Sequence, residues 1–401
     1  MKILFLSDDF PPQSFGGAGI STFELTLSMK NFGYEVFVIT TSRNERDAGE
    51  SERDGLKIFT IVNNYPDRWR AYVSLNNRLV VRQVEQILEK IRPDVVHANN
   101  IHAYLSYKSL KIAKKYARVV VLTARDAMLF SYSKLETKKY LNNFDSKVTW
   151  LDNFKQAGKR WHPFRNLSIR YYLSYVDKVF AISNSLKEAL ENNGIKNVGV
   201  IYNGIDVDDW KVNESEIKDF KEKYQLTNKK IIFFNGRLSP SKGGAKALEA
   251  IVLVRKEVPE AILLVAGLGE VDSNEGIVFT DWLDRHEMKI AYAVSDVVLM
   301  PSICLDAFGR VNIEAMASKK PVVGTCYGGT PEIVVDGVTG YIINPLYPEE
   351  IAKKVIDLLN NPKKAEKFGE AGYDRVKEKF NLEEKVKEYL LEYESLIKNK
   401  N

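Results

Sequence analysis

The chain has 401 residues, beyond the roughly 250–300 at which a single hydrophobic core stops growing, so its length predicts two domains. Apolar residues make up 45% and charged residues 28%, the balance of a globular protein rather than a disordered or fibrous one. A net charge of +5 is too mild to argue for nucleic acid, yet it suits anionic ligands such as phosphates. The two cysteines, Cys304 and Cys326, cannot build a disulfide framework and form no C-x-x-C pair for zinc, which points to a reducing compartment.

The opening MKILFLSDDF meets Asp8 and Asp9 at once, so it is expected to be a first strand and not a secretion signal. No stretch approaches the roughly 20 apolar residues of a membrane-spanning helix. A cytoplasmic location is expected, with docking on a membrane surface left open. Residues 2–7 lead into a Gly-rich loop, and 20–31 carry apolar residues at helical spacing, with Gly33 placed to end that helix. Buried-type strands are predicted at 35–40, 94–97, 118–123, 178–183 and 198–202, with helices between most of them. The alternation restarts at 229–235 and continues at 261–266, 276–279, 296–301, 321–324 and 339–343. Near-continuous apolar strands alternating with helices predict parallel sheets covered on both faces, in two doubly wound halves. The join is placed at the turn Asn203-Gly204, giving domains 1–203 and 204–381. An amphipathic helix at 382–397 is expected to cross back to the first domain.

Ligands of such sheets sit beyond the carboxyl ends of the strands. After the strand 229–235 comes Asn235-Gly236-Arg237-Leu238-Ser239-Pro240-Ser241-Lys242-Gly243-Gly244. Lys242 is expected in the first turn of a helix, where the macrodipole disfavours a cation unless an anion is bound. Arg237 can fork onto phosphate oxygens and Lys242 can add a point charge. A solvated surface Arg and Lys is the competing reading. After the strand 296–301 comes Asp306-Ala307-Phe308-Gly309-Arg310-Val311-Asn312-Ile313-Glu314. Glu314 stands among apolar neighbours and needs a partner, for which sugar hydroxyls are good donors. Asp306 precedes a helix whose free N–H groups suit a diphosphate. The competing reading is a capping Asp and a half-buried, paired Glu.

The first loop sets Gly16, Gly17 and Gly19 before a helix, but it lacks the spacing of a dinucleotide fingerprint. His97 follows Asp94-Val95-Val96 and is expected to point toward a cleft. His162 and His286 lie in polar stretches, and no histidine pair has zinc spacing. Asp206-Val207-Asp208 looks like a metal-binding D-x-D, but it sits at the presumed hinge and reads better as turn chemistry.

Taken in order, these segments resemble the large retaining family 4 of the glycosyltransferases (glycosyl transferases group 1). The likeness includes Val200-Ile201-Tyr202-Asn203-Gly204, Gly236-Arg237-Leu238 with Lys242-Gly243, and Ala266-Gly267-Leu268-Gly269. It continues through Phe308-Gly309 with Glu314-Ala315-Met316-Ala317, and Gly328-Gly329-Thr330-Pro331-Glu332. The resemblance implies an α/β GT-B fold, two Rossmann-like domains facing a central cleft. It also implies transfer of a sugar from a nucleotide-diphosphate donor to a hydroxyl acceptor in glycan biosynthesis, with no cofactor and no metal. By position, Arg237 and Lys242 look like the diphosphate clamp, and Glu314 like the carboxylate that holds the donor ribose. Asp306 with Phe308 and Gly309 looks like the sugar and phosphate contact, and Gly16 and Gly17 like the N-domain glycines near them. The family usually has Glu where Asp306 stands, and the shorter side chain retracts the carboxylate by about 1.5 Å. Many relatives have His where Arg125 stands, so Arg125 with Asp126 is expected to serve the acceptor side differently.

No carboxylate pair is arranged as nucleophile and acid/base. Leaving-group stabilisation by Arg237, Lys242 and helix N–H groups is therefore expected to dominate, with attack on the same face and retention. Asp306 and His97 complete the expected catalytic set. Residues 130–175 are rich in aromatic and basic side chains, among them Trp150, Lys159, Arg160, Trp161, Phe164 and Tyr171. They suit an acceptor platform or a membrane-surface patch for a lipid-linked acceptor; a helix pair with solvated charges is the bland alternative. Two other functions stay open: a nucleotide-sugar epimerase of the same fold, and a non-catalytic nucleotide-sugar-binding subunit. The donor base, the sugar, the acceptor and the oligomeric state are not legible.

Overall fold

The structure is a computed structural model that describes residues 1–12, 16–267 and 276–400. The chain divides into two compact units, one of 1–135, 146–204 and 382–401, the other of 136–145 and 205–381. Residues 136–145, expected in the first domain, thus pack with the second.

Among the described residues, the first unit holds an eight-stranded sheet. Its strands are β1 (Lys2–Ser7), β2 (Glu35–Ser42), β3 (Gly49–Arg53), β4 (Leu56–Val62), β5 (Val95–Asn99), β6 (Val119–Ala124), β7 (Lys178–Ala181) and β8 (Val198–Val200). The order is β3-β4-β2-β1-β5-β6-β7-β8. Central β1 pairs in parallel with β2 and β5, and Ile3, Leu4, Phe5 and Leu6 are all fully buried. That is why the strand reads as a continuous apolar run. The hairpin β3–β4 is antiparallel and turns at Asp54-Gly55, with φ of 51° and 72°. Neither strand is among the sequence-based expectations: β3 is exposed throughout and its sequence GESER lacks apolar alternation, whereas β4, LKIFTIV, is a mostly buried apolar run that does carry a strand signal. The Asp-Gly turn is the signal that marks the hairpin. The helix Leu382–Lys398 lays Val386, Tyr389, Leu390 and Tyr393 into the same core as Ile3, Phe5 and Val121.

In the second unit the described strands are β9 (Lys230–Asn235), β10 (Ala261–Ala266), β11 (Ile277–Phe279), β12 (Val297–Met300), β13 (Val322–Thr325) and β14 (Gly340–Ile343). Their order is β11-β10-β9-β12-β13-β14, all parallel. The winding reverses between β9 and β12, and a doubly wound sheet places its ligand at such a switch point. Ile232, Phe234, Leu263 and Val265 meet Ile251, Val254, Ile351 and Val355 in the core of this unit. No helix among the described residues is long and apolar enough to cross a membrane.

Candidate active site

The loops that leave β9 and β12 meet at the switch point of the second unit. After β9 the chain makes the tight turn Pro240–Lys242 and enters the helix Gly244–Glu257. Lys242 therefore lies one turn ahead of the helix and not inside its first turn. Gly243 has φ +71°, and a Cβ there would fall 2.0 Å from the Pro301 carbonyl oxygen, so only glycine lets the two loops close. Ile303 N–H donates to the Ser241 carbonyl at 2.9 Å and fixes their register.

This closure brings Lys242 Nζ to 2.6 Å from Asp306 Oδ2. Asp306 Oδ1 accepts the Gly309 N–H at 3.0 Å, and Ser302 Oγ donates to Oδ2 at 3.3 Å. The Asp306 carboxylate raises the Lys242 pKa, outweighing burial, so the ammonium stays protonated across the neutral range. Gly309, with φ +73°, precedes the helix Arg310–Ala317. Phe308 is buried, its ring edge-on to Phe380 at 5.8 Å.

On that helix Glu314 is buried and held from two sides. Arg310 Nε donates to Oε1 and the Tyr292 hydroxyl to Oε2, both at 2.7 Å. Tyr292 also accepts from Asn235 Nδ2 at 2.9 Å, which ties the end of β9 to the Glu314 helix. Burial, with the Glu314 charge beside it, keeps the Tyr292 phenol protonated. Arg237 is exposed, its guanidinium 6.0 Å from the Trp282 ring centre. Lys242 from the loop after β9 and Asp306 from the loop after β12 thus form one cluster, and Glu314, on the helix that follows Asp306, anchors another.

In the first unit the expected residues separate. His97 lies inside β5 and is fully buried. Its Nδ1 is 2.6 Å from the Tyr393 hydroxyl and its Nε2 2.7 Å from Thr123 Oγ1. Burial, with the Arg125 charge nearby, holds its pKa well below the usual value. The expectation that His97 faces a cleft as a catalytic group is corrected: both ring nitrogens are spent on core partners of the C-terminal helix and β6. Arg125 is buried at the end of β6, donating to Asn99 Oδ1 at 2.9 Å and to Asn203 Oδ1 at 2.8 Å. Asp126 accepts the Met128 N–H and lies 3.5 Å from His102 Nε2. Gly16 caps and Gly17 begins the helix Gly17–Asn31, while residues 13–15 of that loop and Leu268-Gly269 lie outside the described residues.

Residues 216–375 match the model of glycosyl transferases group 1, and 15–209 match that of glycosyltransferase family 4. An uncharacterized glycosyltransferase of Methanocaldococcus jannaschii is 32% identical over 290 residues, covering 67% of this chain and 71% of that protein. The chain belongs to the group 1, family 4 glycosyltransferases. Among solved structures, sucrose-phosphate synthase from Thermosynechococcus elongatus superposes with a TM-score of 0.78 at 19% identity, over 99% of each chain. An Anabaena protein solved in complex with UDP and glucose gives 0.73 at 18% identity, over 98% of this chain and 100% of that one. These likenesses show the GT-B fold, two Rossmann-like domains.

In this glycosyltransferase the D-x-D at the unit boundary is a turn: Asp206 caps the Asp208 N–H at 3.0 Å, and Asp208 pairs with Lys211 at 2.8 Å. Sequence reasoning missed Tyr292 and Asn235, which reach Glu314 from distant segments. It also missed Arg310, which the i,i+4 spacing to Glu314 does signal. A further missed group is Asp8, at the end of β1. Its carboxylate accepts the N–H groups of Ala103, Tyr104 and Leu105 at 2.7–2.9 Å and shapes the loop after β5. Burial pushes its pKa up to about 7 against the pull of those three bonds.

Proposed function

We propose that this glycosyltransferase moves a hexose from a nucleoside-diphosphate sugar to a hydroxyl acceptor, with retention and without a metal ion. The observation that carries the reading is the Lys242–Asp306 pair at the β9/β12 switch point, with the buried Glu314 on the helix that follows Asp306. Lys242 and Arg237 would take the diphosphate, Glu314 the ribose hydroxyls, and Asp306 with the Phe308-Gly309 backbone the sugar. Gly16 and Gly17 of the first unit are proposed as donor-binding glycines on the family likeness alone. The anomeric C–O bond to the β-phosphate breaks, its electron pair leaving on the diphosphate. The acceptor oxygen then bonds to the anomeric carbon from the same face, and its proton passes to a diphosphate oxygen. Fixed cations near the leaving oxygens lower that barrier.

A ligand that binds only the folded state raises apparent stability. One nucleoside diphosphate among UDP, GDP and ADP is therefore expected to raise the thermal midpoint by several degrees, and its sugar ester to do the same. No shift with any of the three would sink the donor assignment. An epimerase would turn over the donor alone, and a binding subunit would show the shift without transfer to any acceptor.

The acceptor is proposed to be lipid-linked, reached from a membrane surface, with the protein cytoplasmic and peripheral. The stretch 130–175 divides in the structure. Tyr132 is buried under the Arg165 guanidinium, 4.6 Å from its ring centre, as the bland reading has it. Trp150, Leu151, Phe154, Phe164 and Leu167 are instead 47–63% exposed. The Trp150 and Phe154 rings stack at 5.6 Å, and Trp161 meets both edge-on at 5.1 and 5.5 Å. Exposed Lys147, Lys155 and Lys159 flank them, while Asp152 is spent on capping the helix Trp150–Ala157. Exposed aromatic side chains beside lysines suit an anionic lipid interface. The protein is expected to float with phosphatidylglycerol vesicles in low salt, and Trp150→Ala with Phe154→Ala to abolish flotation. Absence of binding to such vesicles would remove the lipid reading.

A further inference from the structure

We propose that Tyr140 is a positioning residue for the donor sugar, acting through the turn Gly328-Gly329 on Asp306. The proposal rests on the donor-site reading above. The chain leaves the first unit after Leu135 and rejoins it at Ser146, and the segment between belongs to the second unit. That segment forms the short helix Lys138–Asn143, opened by Thr137, whose Oγ1 accepts the Tyr140 N–H. It is held to the second unit by three rings: Tyr327 lies 5.8 Å from Tyr140 and 5.6 Å from Phe144. Two hydrogen bonds fix the register. Gly328 N–H donates to the Tyr140 hydroxyl at 2.9 Å, and the Tyr327 hydroxyl donates to the Leu141 carbonyl at 2.7 Å. Tyr140 itself is 3% exposed.

What the segment holds is the wall behind Asp306. Gly328 has φ +68°, and a Cβ there would stand 2.1 Å from the Asp306 carbonyl oxygen and 2.6 Å from its nitrogen. Gly329 N–H donates to that same carbonyl at 2.8 Å. The turn therefore presses directly on the Asp306 main chain. On its other side the turn hangs from Thr325, whose hydroxyl accepts the Tyr327 N–H at 3.2 Å and donates to the Ser302 carbonyl at 2.7 Å. Ser302 in turn touches the Asp306 carboxylate. Asp306 is thus clamped between Ser302 and the Gly328-Gly329 turn, and Tyr140 supplies the acceptor for a buried N–H of that turn. Without the hydroxyl, the Gly328 N–H has to move toward another acceptor, and the Asp306 main chain moves with it. The shorter Asp306 side chain makes its reach depend on main-chain placement.

On the donor-site reading the nucleotide is held by Arg237, Lys242 and Glu314, of which Lys242 meets Asp306 through its carboxylate and not its main chain, whereas the sugar depends on where the Asp306 main chain places that carboxylate. Tyr140→Phe is therefore expected to lower kcat by about ten- to a hundredfold, since a 1 Å misplacement of a positioning group can cost on the order of 10²-fold. The Kd for the bare nucleoside diphosphate should stay near wild type, and the thermal midpoint should fall by no more than a few degrees, the cost of one buried N–H that loses its acceptor. Binding is measured with UDP and turnover with UDP-glucose, or with GDP and GDP-mannose if the thermal screen selects guanosine. Tyr327→Phe, which cuts the bond to Leu141, provides a second variant with the same expected selective loss in kcat. Wild-type kcat in both variants would overturn the proposal, as would a loss of kcat that merely parallels lost nucleotide affinity or lost stability. Lys242→Ala separates the two readings. If it is inactive while both tyrosine variants are normal, only the positioning role fails; if it too is normal, the donor site itself is misplaced.

Discussion

Lys242→Ala is expected to lower kcat/KM by about two to three orders of magnitude while the protein stays folded. The size follows from removing one preorganised charge aimed at a developing anion, which costs on the order of 10²–10³ in rate. The structural cost is smaller. The Lys242 and Asp306 side chains retain 29% and 16% exposure, and Asp306 keeps the Gly309 N–H and the Ser302 hydroxyl when the lysine is gone. A partly solvated pair of this kind contributes little net stability. The pH dependence distinguishes the lysine from other groups. Its folded-state pKa is raised by Asp306, so the interaction is complete below the ordinary lysine value and is lost only as pH climbs past the raised one. The wild-type rate should therefore carry no Lys242 titration between about pH 6 and 9. Arg237→Ala is expected to move the rate in the same direction, since Arg237 is exposed and its guanidinium faces the Trp282 ring. Steady-state kinetics with a urea midpoint for each variant checks both halves. Near-normal turnover in Lys242→Ala would end the clamp assignment.

The strands themselves, and their alternation with helices in two doubly wound halves, follow from patterns within single segments, whereas their order in each sheet is read from the structure. Ile3 to Leu6 are buried on both faces and say so by being continuously apolar. Lys242 and Asp306 were legible as members of motifs because each follows a strand end, but their pairing across 64 residues was not. Glu314 announced that it needed partners, and Arg310 stood at i,i+4. Tyr292 and Asn235 were hidden because their contacts depend on how α and β layers close, which no local period encodes. The place of His97 is illegible for a different reason. In sequence it reads as lying past a strand end, whereas β5 runs on to Asn99 and the alternation of side chains turns the imidazole into the core beside Tyr389 and Tyr393. The segment 136–145 was unreadable because its few residues pack by three aromatic rings against a turn almost two hundred residues away in sequence.

Glu314→Ala is expected to cost both stability and nucleotide affinity, unlike Lys242→Ala. Glu314 and Arg310 have side chains only 11% and 10% exposed, and Tyr292 is fully buried. Removing the carboxylate takes the Glu314 bond from the Arg310 guanidinium and the acceptor from the Tyr292 hydroxyl. Breaking one side of a buried pair costs about 3–5 kcal/mol when the remaining charge is fully buried. The slight access to water here brings the expectation to roughly 2–4 kcal/mol, within the range for charged groups left unsatisfied. Glu314→Gln keeps an acceptor for Arg310 and an amide that can donate to the Tyr292 oxygen, so it should recover most of the stability. It should not recover binding: a neutral amide is a weaker acceptor for ribose hydroxyls than a carboxylate, since hydrogen bonds to ionised acceptors are about twice as strong. Denaturant midpoints and calorimetric Kd values for the nucleoside diphosphate then form a two-by-two comparison. In it, Ala loses both quantities and Gln loses mainly the second, by about tenfold. If Gln binds the nucleotide as tightly as wild type, Glu314 is a structural brace for Arg310 and Tyr292, and the ribose must be held by another group.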